Sequence, residues 1–239
     1  MVHVEYEFDW LELQPIILKL EAQGYVTRTF RRLDPARQGA IIEAIFKEAA
    51  EAGPASMNIK AVAERAGVAV GSLYMYFNNR DGMLNFAVEL CVRYVREALE
   101  SYIPFLVELP VMEGLRSYLV GGMQWSQTQA AFLGLFARAA YQGDPLMAER
   151  MVTPVSEVLQ EMVREILVKA QQRGEIRSDL NAEAATRAIY AWMIALADSQ
   201  LLPYLNNYFR VSDEKISFEP VMETALQMIA HSILAEELH

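Results

Sequence analysis

The sequence predicts an all-α protein with an N-terminal helix-turn-helix domain of three helices and a larger C-terminal helical domain. Apolar residues recur at helical spacing through most of the 239 residues, and no run alternates as a β-strand does. Two short helical segments are joined through Gly67, whereas the segments after residue 80 are much longer. This contrast predicts three regions: an N-terminal extension over 1–33, the helix-turn-helix domain over 34–80, and the larger domain over 81–239.

The composition limits the classes of protein to which the chain can belong. Hydrophobic residues make up 53% of it, which is enough for a substantial core. The single cysteine fits a reducing compartment, and no run approaches the roughly 18 apolar residues of a membrane span. No N-terminal stretch combines a basic flank with a long apolar run, as a signal peptide would. We therefore expect a cytoplasmic protein without a membrane segment.

The charge is distributed unevenly along the chain. The net charge is −10, yet residues 28–80 hold eight Lys/Arg and five Asp/Glu. Before this stretch the chain holds one Lys/Arg against five Asp/Glu, and after it twelve against twenty-one. A locally basic segment is the minimum that an acidic protein needs for contact with phosphate. An excess of three charges also arises by chance, so both interpretations stay open.

Capping signals predict where the first helices begin and end. Residues 14–24 predict a helix with Pro15 at its first position and Gly24 at its end. A basic stretch follows. Asp34 then caps a helix that ends before Gly53.

The next segment predicts two short helices and a long one. Asn58 caps a helix over 59–65, Gly67 makes the turn, and a second short helix covers about 69–76. A long helix follows over about 80–102. Five further helices are predicted over about 111–128, 129–141, 146–173, 182–205 and 218–237.

The second short helix has the composition of a DNA-reading element. In a helix-turn-helix this helix lies in the major groove. Gly71 allows the backbone to approach a base edge, and Ser72 can donate or accept a hydrogen bond. The phenols of Tyr74 and Tyr76 suit phosphate oxygens, and Arg80 opens the next helix, where anions are favoured. The alternative is an ordinary tight turn between two helices, with Tyr74 as a half-buried packing residue.

Residues 58–84, NIKAVAERAGVAVGSLYMYFNNRDGML, resemble the helix-turn-helix signature of the tetracycline-repressor (TetR/AcrR-like) family. The shared features are a capped short helix, an Ala-Gly-Val turn, a Gly-small-Leu-Tyr helix and a basic residue that opens a long helix. The resemblance implies a homodimeric transcription regulator, usually a repressor. Such a regulator binds a palindromic operator on double-stranded DNA and is released by a small-molecule effector, which we expect to be apolar or aromatic.

The resemblance also implies which residues contact DNA. Carried over by position, they are Asn58, Lys60, Ala69, Val70, Gly71, Ser72, Tyr74, Tyr76 and Arg80. Ala69 and Val70 stand where the family often has serine and a polar residue, so specificity would depend on methyl contacts and DNA shape. Arg80 stands where lysine is usual, which keeps the charge.

The region before residue 34 predicts an extension in two parts. Apolar side chains within about 9–23 suit docking as a helix on protein, whereas the acidic residues within 1–12 would be repelled by phosphate. Arg28, Arg31 and Arg32 suit a basic arm that reaches the adjacent minor groove. The alternative is that the three arginines are solvated surface charges.

The later helices predict an effector pocket and a dimer interface. Apolar cavities with few polar groups are the usual ligand sites, although most large side chains there are expected to be core. The predicted pocket residues are Trp125, Phe132, Phe136, Tyr141, Met147, Met162 and Trp192. Apolar stripes on the last two long helices predict the homodimer interface, unless both stripes are internal core. The interface residues are Ile189, Met193, Leu196, Met222, Leu226, Ile229 and Ile233.

Two other classes of function compete with a regulator. An enzyme is disfavoured because two of the three histidines lie near the chain ends, and Cys91 is predicted to be buried within a helix. The GGMQ stretch at 121–124 does not match a phosphate-binding loop, and no metal or cofactor is expected. The other alternative is a helical protein-interaction module whose DNA-binding face has degenerated, as Ala69 and Val70 would allow.

Overall fold

The computed structural model describes residues 10–53, 56–141 and 145–235, and the all-α prediction is confirmed for them. The helices are α1 (Trp10–Ala22), α2 (Arg28–Arg31), α3 (Pro35–Ala52), α4 (Ile59–Ala66), α5 (Val70–Phe77), α6 (Arg80–Glu108), α7 (Val111–Thr128), α8 (Ala130–Tyr141), α9 (Pro145–Met147), α10 (Thr153–Gln172), α11 (Ala182–Leu201), α12 (Pro203–Phe209) and α13 (Phe218–Ile233). A π-helical turn, Ala148–Val152, joins α9 to α10, and one isolated β-bridge pairs Ile176 with Leu234. None of the described helices combines the length and apolar character needed to cross a membrane.

The chain divides into two compact units. The first takes in residues up to Glu97 together with Thr128–Val155, and the second takes in Ala98–Gln127 and the residues from Ser156 onward. α6 therefore contributes residues to both units. The predicted boundary after residue 80 falls inside the first unit, so the division into three regions stays a prediction about function.

Local capping forms the helix-turn-helix. Asp34 Oδ1 accepts a hydrogen bond from the Arg37 amide at 2.9 Å, and Asn58 Oδ1 accepts one from the Lys60 amide at 2.9 Å. These bonds satisfy amides that the first turns of α3 and α4 leave without a partner. Gly67 ends α4 with a φ of 64°, a left-handed conformation that costs glycine little. The predicted caps and the predicted turn are confirmed.

The junction between α5 and α6 is tighter than its sequence indicates. Asn79 Oδ1 accepts a hydrogen bond from the Gly82 amide at 2.7 Å and caps α6. A Cβ atom built at position 82 would lie 2.1 Å from the Phe77 carbonyl oxygen. Because that neighbour is backbone, only glycine fits without a shift of the chain, and Gly82 fixes the angle at which α6 leaves α5.

Aromatic rings form much of the core of the first unit. The ring centroid of Phe30 lies 5.3 Å from that of Phe77 and 5.4 Å from that of Phe86. A second pair joins α3 to α8, where the centroids of Phe46 and Phe132 are 4.6 Å apart. Such aromatic pairs stabilise a fold by about 0.5–1.5 kcal/mol beyond the burial of their area. The first group packs α2, α5 and the start of α6 around one centre.

The N-terminal extension folds onto the first unit. Four apolar side chains of α1 are at most 1% exposed: Leu13, Ile16, Ile17 and Leu20. The prediction that residues 9–23 dock as a helix is thereby confirmed for the described part, and residues 1–9 lie outside it. Pro15 does not begin the helix as predicted, because α1 starts at Trp10 and Pro15 lies in its second turn.

Two of the later helices are interrupted where the sequence predicted continuity. The helix predicted over 146–173 contains the π-helical turn, in which each bond skips one residue more than in an α-helix. The helix predicted over 182–205 ends at Leu201, because Pro203 has no amide to continue the hydrogen bonding. Pro203 instead occupies the first turn of α12, where a proline is tolerated.

Candidate nucleic-acid interface

The outer face of α5 is the candidate recognition surface. Gly71 is exposed, Tyr74 is 46% exposed and Met75 is 59% exposed. Leu73 and Phe77 on the opposite side are buried. α5 therefore presents one stripe of side chains to solvent and holds the other against the core of the first unit.

The first turn of α5 is accessible, as a helix that reads bases requires. Ala69 is exposed, and Val70 and Ser72 are partly exposed. A Cβ atom built on Gly71 meets no heavy atom within 4 Å. Glycine inside a helix costs about 1 kcal/mol relative to alanine, and nothing in the packing of the chain demands it here. Internal packing does not require a glycine at position 71. The close approach of another molecule to the backbone would require one.

Two exposed residues of this stripe were missed by the sequence analysis. Met75 and Asn78 occupy the positions four and seven residues after Gly71, so they share its helix face. Asn78 follows α5 with a φ of 63°, a conformation that asparagine tolerates better than most residues. Helical spacing from Gly71 would have identified both.

The start of α4 adds a polar edge. Asn58 and Lys60 are both exposed, and the side-chain oxygen of Asn58 is engaged as the helix cap. No ion pair of Lys60 occurs among the described residues. Lys60 is therefore an accessible cation at the start of the first helix of the helix-turn-helix, and its contact with DNA stays a prediction.

The prediction that Tyr76 faces DNA needs correction. Tyr76 is only 7% exposed, and its ring centroid lies 5.8 Å from that of Phe30 in an edge-to-face arrangement. Its carbonyl oxygen accepts a hydrogen bond from the Thr27 amide at 2.9 Å. Tyr76 points inward because it lies two residues after Tyr74, on the other side of the helix.

Arg80 has a structural role that the sequence analysis did not include. Its Nε donates a hydrogen bond to the Met57 carbonyl oxygen at 2.8 Å, and its Nη1 lies 3.3 Å from an Asp81 carboxylate oxygen. Arg80 thus joins the start of α6 to the segment before α4. Its side chain is 38% exposed, so contact with phosphate stays a prediction.

The basic residues before α3 do not form an extended arm. Arg28–Arg31 form the short helix α2, and the Arg31 guanidinium pairs with Glu21. Arg28 and Arg32 are exposed. The three arginines thus lie in and directly after a short helix, with Arg28 and Arg32 reaching solvent, and their contact with DNA stays a prediction.

The predicted pocket residues are divided between the two units, and the pocket that they would form stays a prediction. Phe132, Phe136, Tyr141 and Met147 belong to the first unit, whereas Trp125, Met162 and Trp192 belong to the second. Phe132 is core, since its ring stacks on Tyr94 at 5.0 Å, and Met147 and Met162 are buried. Tyr141 and Trp192 are 44% and 47% exposed. Trp125 and Phe136 are partly exposed, and they stay predictions.

The predicted dimer residues are core, which was the stated alternative. All seven are at most 7% exposed in the single chain: Ile189, Met193, Leu196, Met222, Leu226, Ile229 and Ile233. A residue that packs inside its own chain cannot also cover a second copy. The exposed side of α11 instead carries Ala188, Ala191 and Trp192, and that of α13 carries Thr224 and Met228.

A polar group inside the second unit was not identified from the sequence. The Tyr118 hydroxyl is buried and has no hydrogen-bond partner among the described residues. Burial raises the pKa of the Tyr118 phenol, and the nearby Tyr190 and Asp198 add to the rise. Burial also raises the pKa of Tyr190, which Ser156 partly offsets by hydrogen bonding. Periodicity could not reveal this group because its members come from three separate helices.

Comparison with known proteins identifies the helix-turn-helix. The model of the family "Bacterial regulatory proteins, tetR family" matches residues 41–86. The HTH-type transcriptional regulator BetI of Stenotrophomonas maltophilia is 33% identical over 70 residues, which cover 29% of this chain and 36% of that protein. The probable acrEF/envCD operon repressor of Escherichia coli is 23% identical over 60% of this chain and 66% of its own length. The chain thus spans about a third of the first relative and about two thirds of the second.

Solved structures extend the likeness to the whole fold. A putative fatty acid metabolism regulator of Clostridium perfringens has a TM-score of 0.59 and 19% identity, over 82% of this chain and 100% of that one. FadR of Bacillus subtilis, solved in complex with stearoyl-CoA, has a TM-score of 0.54 and 19% identity, over 81% and 97% of the two chains. The shared fold and the matched helix-turn-helix agree. The helix-turn-helix over residues 41–86 thus matches the tetR family of bacterial regulatory proteins, and the fold of the chain is similar to that of the solved structures.

Proposed function

We propose that this chain is a transcriptional repressor that binds a palindromic operator as a homodimer and releases it when a small apolar molecule binds. The observation that carries the proposal is the exposed, uncharged face of α5, which includes a glycine that packing does not require. Such a face suits the major groove, where backbone and methyl groups can lie close to base edges. The two α5 helices of a dimer would occupy half-sites about 34–36 Å apart.

The test compares two glycine substitutions. Gly71→Val adds a side chain at the proposed groove-facing position, and Gly121→Val adds the same side chain on α7, where a Cβ also meets nothing within 4 Å. Binding to a duplex from upstream of the protein's own gene is measured by fluorescence anisotropy at fixed salt. Gly71→Val should weaken this binding at least tenfold more than binding to a random duplex, since it blocks base edges. Equal binding by both variants would contradict the role of α5.

The same assay separates a regulator from the alternative protein-interaction module. A regulator binds its own upstream duplex far more tightly than random DNA, typically by a factor of about 10³ or more. A module with a degenerate DNA face would bind both duplexes weakly and equally. Binding of neither duplex at low salt would exclude the proposed function.

The polar group around Tyr118 is the proposed anchor of the effector. A buried hydroxyl without a partner is costly, and a ligand or a water molecule that bonds to it would remove that cost. Ser156, Tyr190 and Asp198 supply further polar atoms in the same unit. An otherwise apolar surrounding with a few polar groups fits a mainly apolar molecule. The structural neighbours named for fatty acid metabolism and stearoyl-CoA support this choice of chemistry.

The effector proposal can be tested before the molecule is identified. Native mass spectrometry of protein purified from cells would detect a co-purified ligand, and stearoyl-CoA serves as the first defined probe. Tyr118→Phe should reduce binding of either about tenfold, the value of one hydrogen bond in an apolar site. An effect of the effector on DNA binding would then be transmitted along α6, which contributes residues to both units.

We propose that the homodimer forms through the exposed sides of α11 and α13. Ala188 and Ala191 allow a second helix to approach closely, and Trp192 and Met228 are large apolar side chains exposed by 47% and 53%. Trp192→Glu should make the protein monomeric in light scattering at micromolar concentration. Tyr141→Glu is the control, because Tyr141 is similarly exposed, at 44%, in the first unit. A dimer that survives Trp192→Glu would contradict this surface.

A further inference from the structure

The segment before α2 is fastened to the end of α5. The Thr27 amide donates a hydrogen bond to the Tyr76 carbonyl oxygen at 2.9 Å, and Thr27 Oγ1 donates one to the Met75 carbonyl oxygen at 2.9 Å. The last turn of a helix leaves its carbonyl groups without intrahelical partners. Thr27 supplies two of these partners to α5, so the extension caps the candidate recognition helix from outside.

A buried glutamine locks the other end of α2. Gln38 is fully buried, and its Nε2 donates to the carbonyl oxygens of Phe30 at 3.1 Å and Arg31 at 3.0 Å. Its Oε1 accepts a hydrogen bond from Gln14 Nε2 at 2.6 Å. The Phe30 side chain is itself completely buried. α2 is therefore held by α1, α3 and α5, and it has the rigidity that a defined contact surface requires.

The outer side of α2 carries two exposed arginines. Arg28 and Arg32 are four residues apart, so they lie on one face. No ion pair of either residue occurs among the described residues, whereas Arg31, which turns inward, pairs with Glu21. The outer side of α2 can therefore accept an anion from another molecule.

We infer that α2 is a second DNA-binding element, in which Arg28 and Arg32 bind backbone phosphates beside the groove that α5 enters. The inference rests on the proposed function and extends it beyond residues 41–86, which the family model matches. Arg28 follows directly after Thr27, whose hydroxyl contacts the Met75 carbonyl, and Met75 is 59% exposed on the recognition face. α2 therefore begins directly beside the end of α5, where the phosphates that flank a half-site would pass.

These contacts would position the protein on the duplex and raise its affinity for DNA, without adding a preference for a particular base sequence. Arginine on an exposed face binds phosphate through charge and paired N–H groups, and phosphates are the same at every step of the duplex. Each neutralised phosphate adds about 0.9 to the slope of log Kd against log salt concentration. Loss of both arginines should then lower the slope by about 1.8 for each protomer that is bound.

The experiment compares two double variants that remove the same charge. Arg28→Ala with Arg32→Ala removes the proposed phosphate contacts, and Arg177→Ala with Arg187→Ala removes two exposed arginines of the second unit. Binding to the upstream duplex and to a random duplex is measured from 50 to 200 mM salt. For the first variant, the ratio of its Kd to that of the unchanged protein should shrink roughly tenfold across this range for each bound protomer, and therefore about a hundredfold for a dimer, on both duplexes. The second variant should retain the original slope.

Thr27→Val tests the attachment of α2 to α5 separately from the charges of Arg28 and Arg32. It removes the hydroxyl that bonds to Met75 and keeps every charge, so it should weaken specific binding by up to about tenfold with no change in slope. An unchanged slope in the Arg28/Arg32 variant, while Gly71→Val still loses specific binding, would overturn the inference and leave the proposed function intact. Absence of binding by the unchanged protein would overturn both. Circular dichroism melting shows whether each variant is folded.

A basic surface can also bind anionic lipid or an acidic protein, and the same variants test this. Vesicles with 30% phosphatidylserine are the lipid probe. In one outcome, the Arg28/Arg32 variant keeps the slope of log Kd for DNA against log salt and loses vesicle binding. That result would assign the surface to lipid and overturn the inference. The inference is supported if the salt slope for DNA falls in the Arg28/Arg32 variant and the unchanged protein does not bind the vesicles.

Discussion

α5 and α11 both bury one side and expose the other, but their exposed sides have different chemistry. None of the eight residues of α5 is charged, and its outer stripe combines Gly71 with Tyr74 and Met75. α11 begins with an ion pair between Glu183 and Arg187 and then exposes alanines and Trp192. A face without acidic groups can approach a polyanion, whereas a face of small apolar residues can approach another helix.

The two helices also differ in what holds them. α5 is short, and its three buried residues, Leu73, Tyr76 and Phe77, are supplemented by contacts at its end, namely Thr27 at its carbonyl groups and Gly82 at its exit. α11 has twenty residues, and three apolar side chains along it, Ile189, Met193 and Leu196, anchor its inner side. Changes at one residue should therefore shift α5 but only loosen the packing around α11. The following predictions test this difference.

The largest effect is expected from Met193→Ala. Met193 is 1% exposed, so the variant leaves a cavity in the second unit and should lower the free energy of unfolding by about 3 kcal/mol. Urea denaturation measures this change, and Tyr204→Ala, at an exposed residue of α12 in the same unit, is the control. If Met193→Ala instead produced a stable monomer, the stripe on which Met193 lies would be the dimer interface after all.

Gly82→Ala should be almost as damaging, through the backbone. The added Cβ would lie 2.1 Å from the Phe77 carbonyl oxygen, so the end of α5 must move, at a cost of about 2–3 kcal/mol. Gly71→Ala is the matched control, because it meets nothing within 4 Å and should raise stability by about 0.5–1 kcal/mol. Similar unfolding midpoints for the two variants would show that the α5–α6 junction is not tight.

Tyr118→Phe should raise stability by about 1 kcal/mol, because it removes a buried hydroxyl that has no partner among the described residues. Burial raises the pKa of the phenol above its ordinary value near 10, so the phenol ionises in the unfolded chain at a lower pH than in the folded protein. Ionisation of Tyr118 therefore favours the unfolded state as the pH rises from about 10 towards the higher pKa of the folded state. The free energy of unfolding should therefore fall less steeply above about pH 10 in Tyr118→Phe than in the unchanged protein. Equal slopes would mean that the hydroxyl is solvated.

The comparison of α5 with α11 explains how far sequence reasoning reaches. The caps at Asp34 and Asn58 and the turn at Gly67 depend on side chains a few residues away, and the sequence predicted all three. Tyr76 was assigned to the wrong side because resemblance was applied without the helical spacing that separates it from Tyr74.

Tertiary pairing is harder to obtain from one sequence. The stripe with Met193 and the stripe with Trp192 are adjacent on α11, and periodicity alone does not indicate which one meets the rest of its own chain. The α2 helix was missed for a related reason. With four residues, α2 is too short to show helical periodicity in its sequence. Its stability comes from the buried Phe30 side chain and from the hydrogen bond that the distant Gln38 donates.

The smallest effect on stability is expected from Lys60→Gln, which tests the part of the interface that the sequence predicted correctly as exposed. Lys60 lies at the start of α4, and only its backbone amide contributes to the cap made by Asn58. The substitution should therefore change the free energy of unfolding by less than about 0.5 kcal/mol. If Lys60 binds a phosphate, the slope of log Kd against log salt should fall by about 0.9 for each protomer, with equal loss on upstream and random duplexes. Lys215→Gln, an exposed lysine of the second unit, is the control for net charge. A loss confined to the upstream duplex would instead assign Lys60 to a base edge, which would extend the reading surface from α5 to the start of α4.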